Sequence, residues 1–182
     1  MTGARFAGRE LRTPRLVLRP LDPALARQIA SGQRQPDWAP GFPQEGDLSA
    51  ASLVGPADGD DPGGTAGDVP GSNPHDRGWG PWVIRTHEGQ LIGTAGFRGT
   101  PEAGEVEVGY GIESGHRNQG LAGEAVAALL GWARAAGAVR FLARVDRDNV
   151  ASQRVLLRLG FGTDGEPDTD AGPRLRLSRA AG

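Results

Sequence analysis

The residues best suited to chemistry lie at positions 117–122, where the sequence reads Arg-Asn-Gln-Gly-Leu-Ala and leads into a helical pattern. The first amide groups of a helix have no partner within it and carry partial positive charge, so they can hold an anion. Gly120 has no side chain and would let a phosphate approach its backbone closely. The turn lacks the Gly-Lys-Ser/Thr of a nucleotide P-loop, which argues against Walker-type binding. Taken alone, this spacing fits an anion site and an ordinary helix start about equally well.

The elements that must position this turn are predicted from hydrophobic periodicity. Alternation or short apolar runs predict strands over residues 11–20, 82–85, 91–97, 105–112, 141–145 and 174–178. Apolar residues at helical spacing predict helices over residues 22–32, 119–136 and 149–160, and permit a short helix over 47–54. Asp47 is the predicted cap of the short helix, and Asp148 or Asn149 that of the last one. This order indicates an α+β fold with a mixed sheet flanked by helices.

Residues 36–80 differ from the rest of the chain because they are rich in glycine, proline and aspartate. Such a composition is expected to bury little apolar surface. The sequence therefore predicts a single domain over residues 1–182 that is interrupted by a flexible loop at about 55–80.

Composition excludes several classes of function. The chain has 182 residues, no cysteine and a formal net charge of -2. A disulfide framework, a thiolate zinc site and a cysteine nucleophile are therefore excluded. The charge predicts no nucleic-acid partner, and the absence of a long apolar run predicts no membrane partner, so we expect a cytoplasmic protein. His75 and His87, placed in a loop and a turn, make no metal site, and no metal is predicted.

Three segments taken together carry a resemblance to a known family. They are Glu-Val-Gly-Tyr-Gly-Ile at 107–112, the turn at 117–122, and the stretch from Asn-Val-Ala-Ser to Leu-Gly-Phe at 149–161. In this combination the chain strongly resembles the GNAT acetyltransferase superfamily over about residues 82–161. The opening at 11–20 is similar to the branch that acetylates ribosomal-protein N-termini, a pattern shared with many small-molecule acetyltransferases. The resemblance implies transfer of an acetyl group from acetyl-coenzyme A to a primary amine on a small molecule or a protein N-terminus.

The resemblance also implies a path for the cofactor. The backbone of Tyr110, Gly111 and Ile112 would pair with the pantetheine arm as an added strand, and Asn149 would contact the cofactor from the last helix. The splayed ends of strands 105–112 and 141–145 would hold the thioester. The implied pyrophosphate-binding residues are Arg117, Asn118, Gln119, Gly120, Leu121, Ala122 and Gly123.

Direct transfer needs a base for the amine and favours a proton or hydrogen bond for the leaving thiolate. Glu107 aligns with a glutamate found in many relatives and is the predicted base, with Glu105 on the same face as its rival. Many relatives place a tyrosine seven residues after the asparagine, but this chain has Leu156 there. Relatives with a leucine at that position imply Ser152 as the donor to the thiolate. Solvated carboxylates and a serine bonded to the helix backbone are the structural alternatives.

Three further questions stay open at this level. The same fold could serve as a catalytically silent sensor of acyl-coenzyme A, or could use another acyl donor. Trp38, Trp79 and Trp82 are candidates for the acceptor pocket, although core packing is the stronger expectation for Trp82 and also for Trp132. A homodimer is a further expectation from relatives.

Overall fold

The computed structural model describes residues 10–54, 78–163 and 174–181, whose strands form one eight-stranded sheet. The strands are β1 (Leu11–Arg12), β2 (Leu16–Pro20), β3 (Pro81–Thr86), β4 (Leu91–Phe97), β5 (Glu105–Ile112), β6 (Arg140–Asp146), β7 (Gly162–Thr163) and β8 (Arg174–Ala180). The helices are α1 (Pro23–Ala30), α2 (Glu45–Ser52), α3 (Leu121–Ala135) and α4 (Val150–Arg158), with a short 3-10 turn at Ser114–His116. The mixed α+β class is therefore confirmed. No helix in this described part of the chain is long and apolar enough to cross a membrane.

The strands lie in the order β1-β2-β3-β4-β5-β6-β8-β7, and every neighbouring pair is antiparallel except β5 with β6. The mostly antiparallel sheet is the predicted one, and the helices have the predicted order. One strand was predicted wrongly. Residues 11–20 form two short strands instead of one, because the Thr13 hydroxyl and backbone pair with Leu16 and turn the chain between them.

The sheet's central interruption lies between β5 and β6. The two strands pair in parallel only at Glu105 with Arg140, Val106 with Phe141 and Glu107 with Leu142. Beyond these three pairs β6 continues along β8, and β5 continues along β4 alone. The predicted splay of these strands is confirmed, and among the described residues it leaves one side of β5 without a neighbouring strand over positions 108–112.

The described part of the 36–80 segment contradicts the expectation that it buries little. Trp38, Ala39 and Phe42 are buried, and the rings of Trp38 and Phe42 meet edge to face with centroids 5.2 Å apart. The backbone at Asp37 and Ala39 bonds to Leu91 at the start of β4. Aromatic burial and these bonds order the segment although its glycine and proline content suggested otherwise. The predicted flexible loop lies mainly at residues 55–77, outside the described residues.

Asp47 does not cap α2 as predicted, since the helix begins two residues earlier and Gln44 is its cap. Asp47 is instead buried in the first turn, where one oxygen accepts from the Gln44 amide at 2.8 Å and the other from the Thr94 hydroxyl at 2.7 Å. Burial raises the pKa of this carboxyl above its usual value, although both hydrogen bonds act in the opposite direction. Asp47 thereby fastens α2 to β4.

The tryptophans lie in the core or pack against it. Trp38, Trp79 and Trp82 are all buried, and Trp132 of α3 packs on Trp79 and Trp82, with ring centroids 4.8 Å and 5.5 Å away. The expectation for Trp82 and Trp132 is confirmed. Trp38 and Trp79 line neither of the two cavities described below, and their place in an acceptor pocket stays a prediction. Aromatic packing holds α3 on the sheet next to the site.

Candidate active site

The turn at residues 117–122 joins the 3-10 turn after β5 to the first turn of α3. Gly120 is the N-terminal cap of α3, with a φ of 78° that suits glycine, and Asn118 also has a positive φ of 61°. Asparagine tolerates this left-handed conformation better than most residues. The two unusual conformations turn the chain sharply, so the helix begins at Leu121 with unsatisfied amides at the end of β5.

Side chains from distant elements hold this turn in place. Arg117 donates from Nε to the carbonyl of Ile112 at 2.9 Å and from Nη2 to Gln44 at 2.6 Å. Arg15 donates to the carbonyl of Gln119 at 2.7 Å and forms an ion pair with Glu124 at 2.7 Å. The turn is thus braced by α2 on one side and by the β1–β2 turn on the other.

A cavity of about 480 Å³ opens beside the turn, between β5 and the first turns of α3 and α4. Most of the predicted cofactor-binding residues line it, namely Tyr110, Gly111, Ile112, Arg117, Asn118, Gly120, Leu121, Ala122 and Asn149. Gln119 and Gly123 do not. Gln119 faces outward, with its backbone bonded to Arg15, and a Cβ on Gly123 would come within 3.9 Å of Val155. Gly123 therefore lies on the side of α3 that faces α4, where a Cβ would make an ordinary van der Waals contact.

Two arginines that sequence reasoning missed also line this cavity. Arg154 and Arg158 are exposed and one turn apart on α4. Neither guanidinium has a hydrogen-bond or ion-pair partner in the described part of the chain. Their spacing of four residues from each other, in the helix that follows Asn149, was a usable signal, since it puts both on one side of that helix. They add positive charge to the cavity wall.

His116 lines the same cavity from the 3-10 turn, and Glu113 lies buried behind it. Glu113 accepts from the Gly115 amide at 3.0 Å and forms a short hydrogen bond with His116 Nδ1. Burial raises the pKa of Glu113, but the bonds from His116 and Gly115 outweigh it, so the pKa lies below its usual value. The carboxylate orients the imidazole. The described residues contain no group of three or more histidine or acidic side chains that could hold a metal.

A second cavity of about 500 Å³ lies at the divergence of β5 and β6, and residues of α2 line part of its wall. It shares Tyr110, Asn149 and Ser152 with the first cavity, so these residues stand where the two meet. Leu156, which occupies the position of the tyrosine in many relatives, is fully buried beneath it. The two cavities therefore adjoin at Tyr110, Asn149 and Ser152.

Ser152 lies in the first turn of α4, where Asn149 caps the helix by accepting from the Ser152 amide at 3.0 Å. The cap predicted at Asn149 is confirmed. The Ser152 hydroxyl lies 2.7 Å from the hydroxyl of Tyr110 on β5. The alternative expectation was a serine bonded to the helix backbone. The contact with Tyr110 shows that the Ser152 hydroxyl also reaches a side chain of β5.

Glu107 is the last residue of β5 that pairs with β6. One of its oxygens is 3.3 Å from Arg98 Nε, and the other forms a short ion pair with Arg144. Arg98 and Arg144 line the second cavity, whereas Glu107 does not. Its rival Glu105 lies two residues earlier, 3.3 Å from Arg140. Glu107 is therefore the nearer carboxylate to the splay, but it stands behind two guanidinium groups.

Comparison with known proteins gives the family. Residues 15–162 match the model of the acetyltransferase (GNAT) domain, which is more than half of the chain. The chain therefore belongs to the GNAT acetyltransferase family. It is 36% identical over 88 residues to the uncharacterized N-acetyltransferase YjdG of Bacillus subtilis, covering 47% of this chain and 52% of that protein. It is 33% identical over 93 residues to the ribosomal-protein-serine acetyltransferase of Escherichia coli, covering 50% and 52%. The chain thus spans about half the length of the curated relatives it matches.

Solved structures share the fold over nearly the whole chain. An acetyltransferase from Agrobacterium tumefaciens superimposes with a TM-score of 0.64 at 24% identity, covering 98% of both chains. A putative GNAT-family acetyltransferase from Bordetella pertussis gives a TM-score of 0.61 at 26% identity, covering 94% of this chain and 99% of its own. The ribosomal-protein-S5-alanine acetyltransferase of Vibrio fischeri gives 0.64 at 18% identity, covering 96% and 97%, which is a likeness of fold.

Proposed function

We propose that this chain transfers an acetyl group from acetyl-coenzyme A to a primary amine by direct attack. The observation that carries the proposal is the divergence of β5 from β6 beside the start of α3. It leaves the backbone of residues 108–112 open along one side, as an added strand would require. The unsatisfied amides at the start of α3 lie at the end of the same cavity and suit a pyrophosphate.

In this mechanism the pantetheine arm lies along Tyr110, Gly111 and Ile112, and the thioester reaches the junction of the two cavities. The acceptor amine enters through the second cavity and attacks the carbonyl carbon. A backbone amide of β5 near Val108 to Tyr110 donates to the carbonyl oxygen as charge develops there. Glu107 is the proposed base and Ser152 the donor to the departing sulfur. No covalent intermediate on the protein is required.

The acceptor class is proposed as a small molecule or a protein N-terminus. The ribosomal-protein-serine acetyltransferase of Escherichia coli supports the second, because it is 33% identical over half of this chain. The small residues that α2 contributes to the second cavity, such as Gly46 and Ser49, leave room in its volume of about 500 Å³ for either class of acceptor. Acceptor peptides with free N-termini and a panel of small amines should therefore be tested side by side.

Coenzyme A binding tests the proposal first, by calorimetry on Gly120→Glu with Gly120→Ala as the matched control. Both variants strain the backbone at a φ of 78°. Only glutamate adds bulk and negative charge to the anion site, so we expect it to abolish binding while alanine retains measurable affinity. Equal affinities in the two variants would contradict the cofactor site.

Turnover tests the rest of the proposal. Thiol release from acetyl-coenzyme A can be followed with a thiol reagent. The protein has no cysteine and therefore adds no thiol signal of its own. We expect release that depends on an amine acceptor. Tight cofactor binding with no release across peptides and small amines would contradict the transferase and favour an acyl-coenzyme A sensor.

A further inference from the structure

Tyr110 is the chain's only tyrosine, and its side chain crosses from β5 to the first turn of α4. Its hydroxyl lies 2.7 Å from the Ser152 hydroxyl and 3.1 Å from the Ser152 carbonyl oxygen. Both residues border both cavities. A phenol therefore stands at the place where donor and acceptor would meet, although the helix position that carries a tyrosine in many relatives is Leu156.

We propose that Tyr110 is a positioning residue that aims the hydroxyl hydrogen of Ser152 at the sulfur of the departing thiolate. The inference rests on the proposed function, since it assigns a task within the acetyl transfer. It gives the Tyr110 side chain a role separate from that of its backbone along the pantetheine arm.

The hydrogen-bonding capacity of the two hydroxyl groups allows Tyr110 to donate to Ser152. The Ser152 hydroxyl has one hydrogen to donate and two lone pairs to accept with. The phenol has a single hydrogen, which it donates to the Ser152 carbonyl oxygen at 3.1 Å and can share with Ser152 Oγ at 2.7 Å. When the hydrogen is shared in this way, the serine hydrogen points away from Tyr110, and Ser152 borders both cavities. The Ser152 amide is already bound to Asn149 at 3.0 Å, which fixes the serine backbone. A donated bond also polarises the serine hydroxyl and strengthens its own donation.

The phenol keeps its proton in this arrangement. Burial raises the pKa of Tyr110 above its ordinary value, and the bond to Ser152 lowers it by less. Tyr110 therefore keeps its hydrogen and remains a donor throughout the neutral range.

The step balances without an added reactant. The amine nitrogen forms a bond to the carbonyl carbon, the carbon–sulfur bond breaks, and its electron pair goes to sulfur. The Ser152 hydrogen bond stabilises the resulting thiolate. The proton released by the amine leaves through the base and finally restores the thiol through solvent. A hydrogen bond to a developing charge of this kind corresponds to about a 10- to 100-fold effect on rate.

The test is a double-mutant cycle with Tyr110→Phe and Ser152→Ala, using the acceptor that gives turnover with the unaltered protein. We expect each single variant to lower kcat about 10- to 100-fold, with KM for acetyl-coenzyme A changed by less than about threefold. The double variant should be no slower than Ser152→Ala, because Tyr110 acts through that serine. Ser31→Ala, at the exposed end of α1 and outside both cavities, is the control and should keep normal kcat.

Two outcomes of the cycle would overturn the inference. One is independent, multiplying losses in the double variant, and the other is a loss confined to KM. If the unaltered protein binds the cofactor but transfers to no acceptor, the proposed function fails instead, and the inference falls with it.

A second readout is independent of activity. Because Tyr110 is the only tyrosine, ultraviolet absorbance follows its ionisation in the folded protein without interference from others. We expect its pKa above the ordinary value of 10.0 and a further rise in Ser152→Ala, since that variant removes the bond that lowers it. An unchanged pKa in Ser152→Ala would overturn the coupling between the two hydroxyls.

Discussion

At the scale of single residues, Glu107 combines a predicted role as base with two arginine partners. Its carboxylate oxygens contact Arg98 and Arg144, and these two arginines line the second cavity. A carboxylate in this position can take a proton from an entering amine only if a guanidinium gives way or a water carries the proton. If Glu107 is the base, its replacement by glutamine should slow the transfer. If Glu107 only anchors the two arginines, the same replacement should leave the rate normal.

Glu107→Gln should lower kcat about 100-fold, because glutamine keeps the shape but cannot accept the proton. KM for acetyl-coenzyme A should change little. Glu105→Gln is the control and should keep most of the rate. A normal rate in Glu107→Gln at every pH would show that the carboxylate only anchors arginines, and a larger loss in Glu105→Gln would transfer the base role there.

Arg154 and Arg158 lead to a prediction on the cofactor side. Their guanidinium groups line the first cavity and lack partners in the described part of the chain. Replacing both by glutamine should weaken coenzyme A binding about fivefold at low salt, with a smaller difference at high salt, because exposed charges are screened. Arg134→Gln, at the far end of α3, should bind normally. Calorimetry with coenzyme A at two salt concentrations measures both, and equal affinities at low salt would contradict the assignment.

At the scale of elements, Glu124 joins the β1–β2 turn to the first turn of α3. It accepts from the Thr13 hydroxyl at 2.6 Å, the Arg15 amide at 2.9 Å and the Arg15 guanidinium at 2.7 Å. Burial raises the pKa of Glu124, but these bonds outweigh it and leave the pKa below its usual value. Because the folded pKa is depressed, the stabilisation is present above the unfolded pKa and is lost as pH falls through the folded one.

Glu124→Gln should therefore lower the free energy of unfolding by about 1 kcal/mol near neutral pH, a modest value because Arg15 is half exposed. The difference from the unaltered protein should shrink as pH falls below the usual glutamate pKa of 4.5. Urea unfolding at neutral and acidic pH measures it. Glu102→Gln, on an exposed loop, is the control. A difference that grows toward acid pH would refute this account.

The elements differ in how far the sequence predicted them. The strands and helices from residue 81 to residue 158 were found because their periodicity is regular and the glycines at 120, 137 and 160 mark helix boundaries with positive φ. A short helix over 47–54 was expected, but the ordering of residues 36–44 was missed, because Trp38 becomes buried through contact with the distant start of β4. The same reason hid the bond between Tyr110 and Ser152, which are 42 residues apart. Local pattern predicts elements, whereas contacts between them depend on the assembled fold.

At the scale of the whole molecule, the proposed cofactor site is built from both parts of the sheet. Tyr110 belongs to β5, on one side of the divergence, whereas Asn149 and Ser152 follow β6 on the other. A ligand that contacts both sides should stabilise the folded protein. At about 100 times its dissociation constant, acetyl-coenzyme A should add about 2.7 kcal/mol and raise Tm. Thermal unfolding of the unaltered protein and of Gly120→Glu measures this, and an equal rise in both would contradict the site.

The divergence of β5 from β6 also bears on solubility. A strand side without a neighbour can pair with an extended segment of another molecule, which is how exposed sheet edges start aggregation. Here that side lies inside the sheet, at residues 108–112, and not at its rim. A cofactor arm bound along it would occupy the same backbone groups. Acetyl-coenzyme A would then protect the protein from self-association as well as take part in its chemistry.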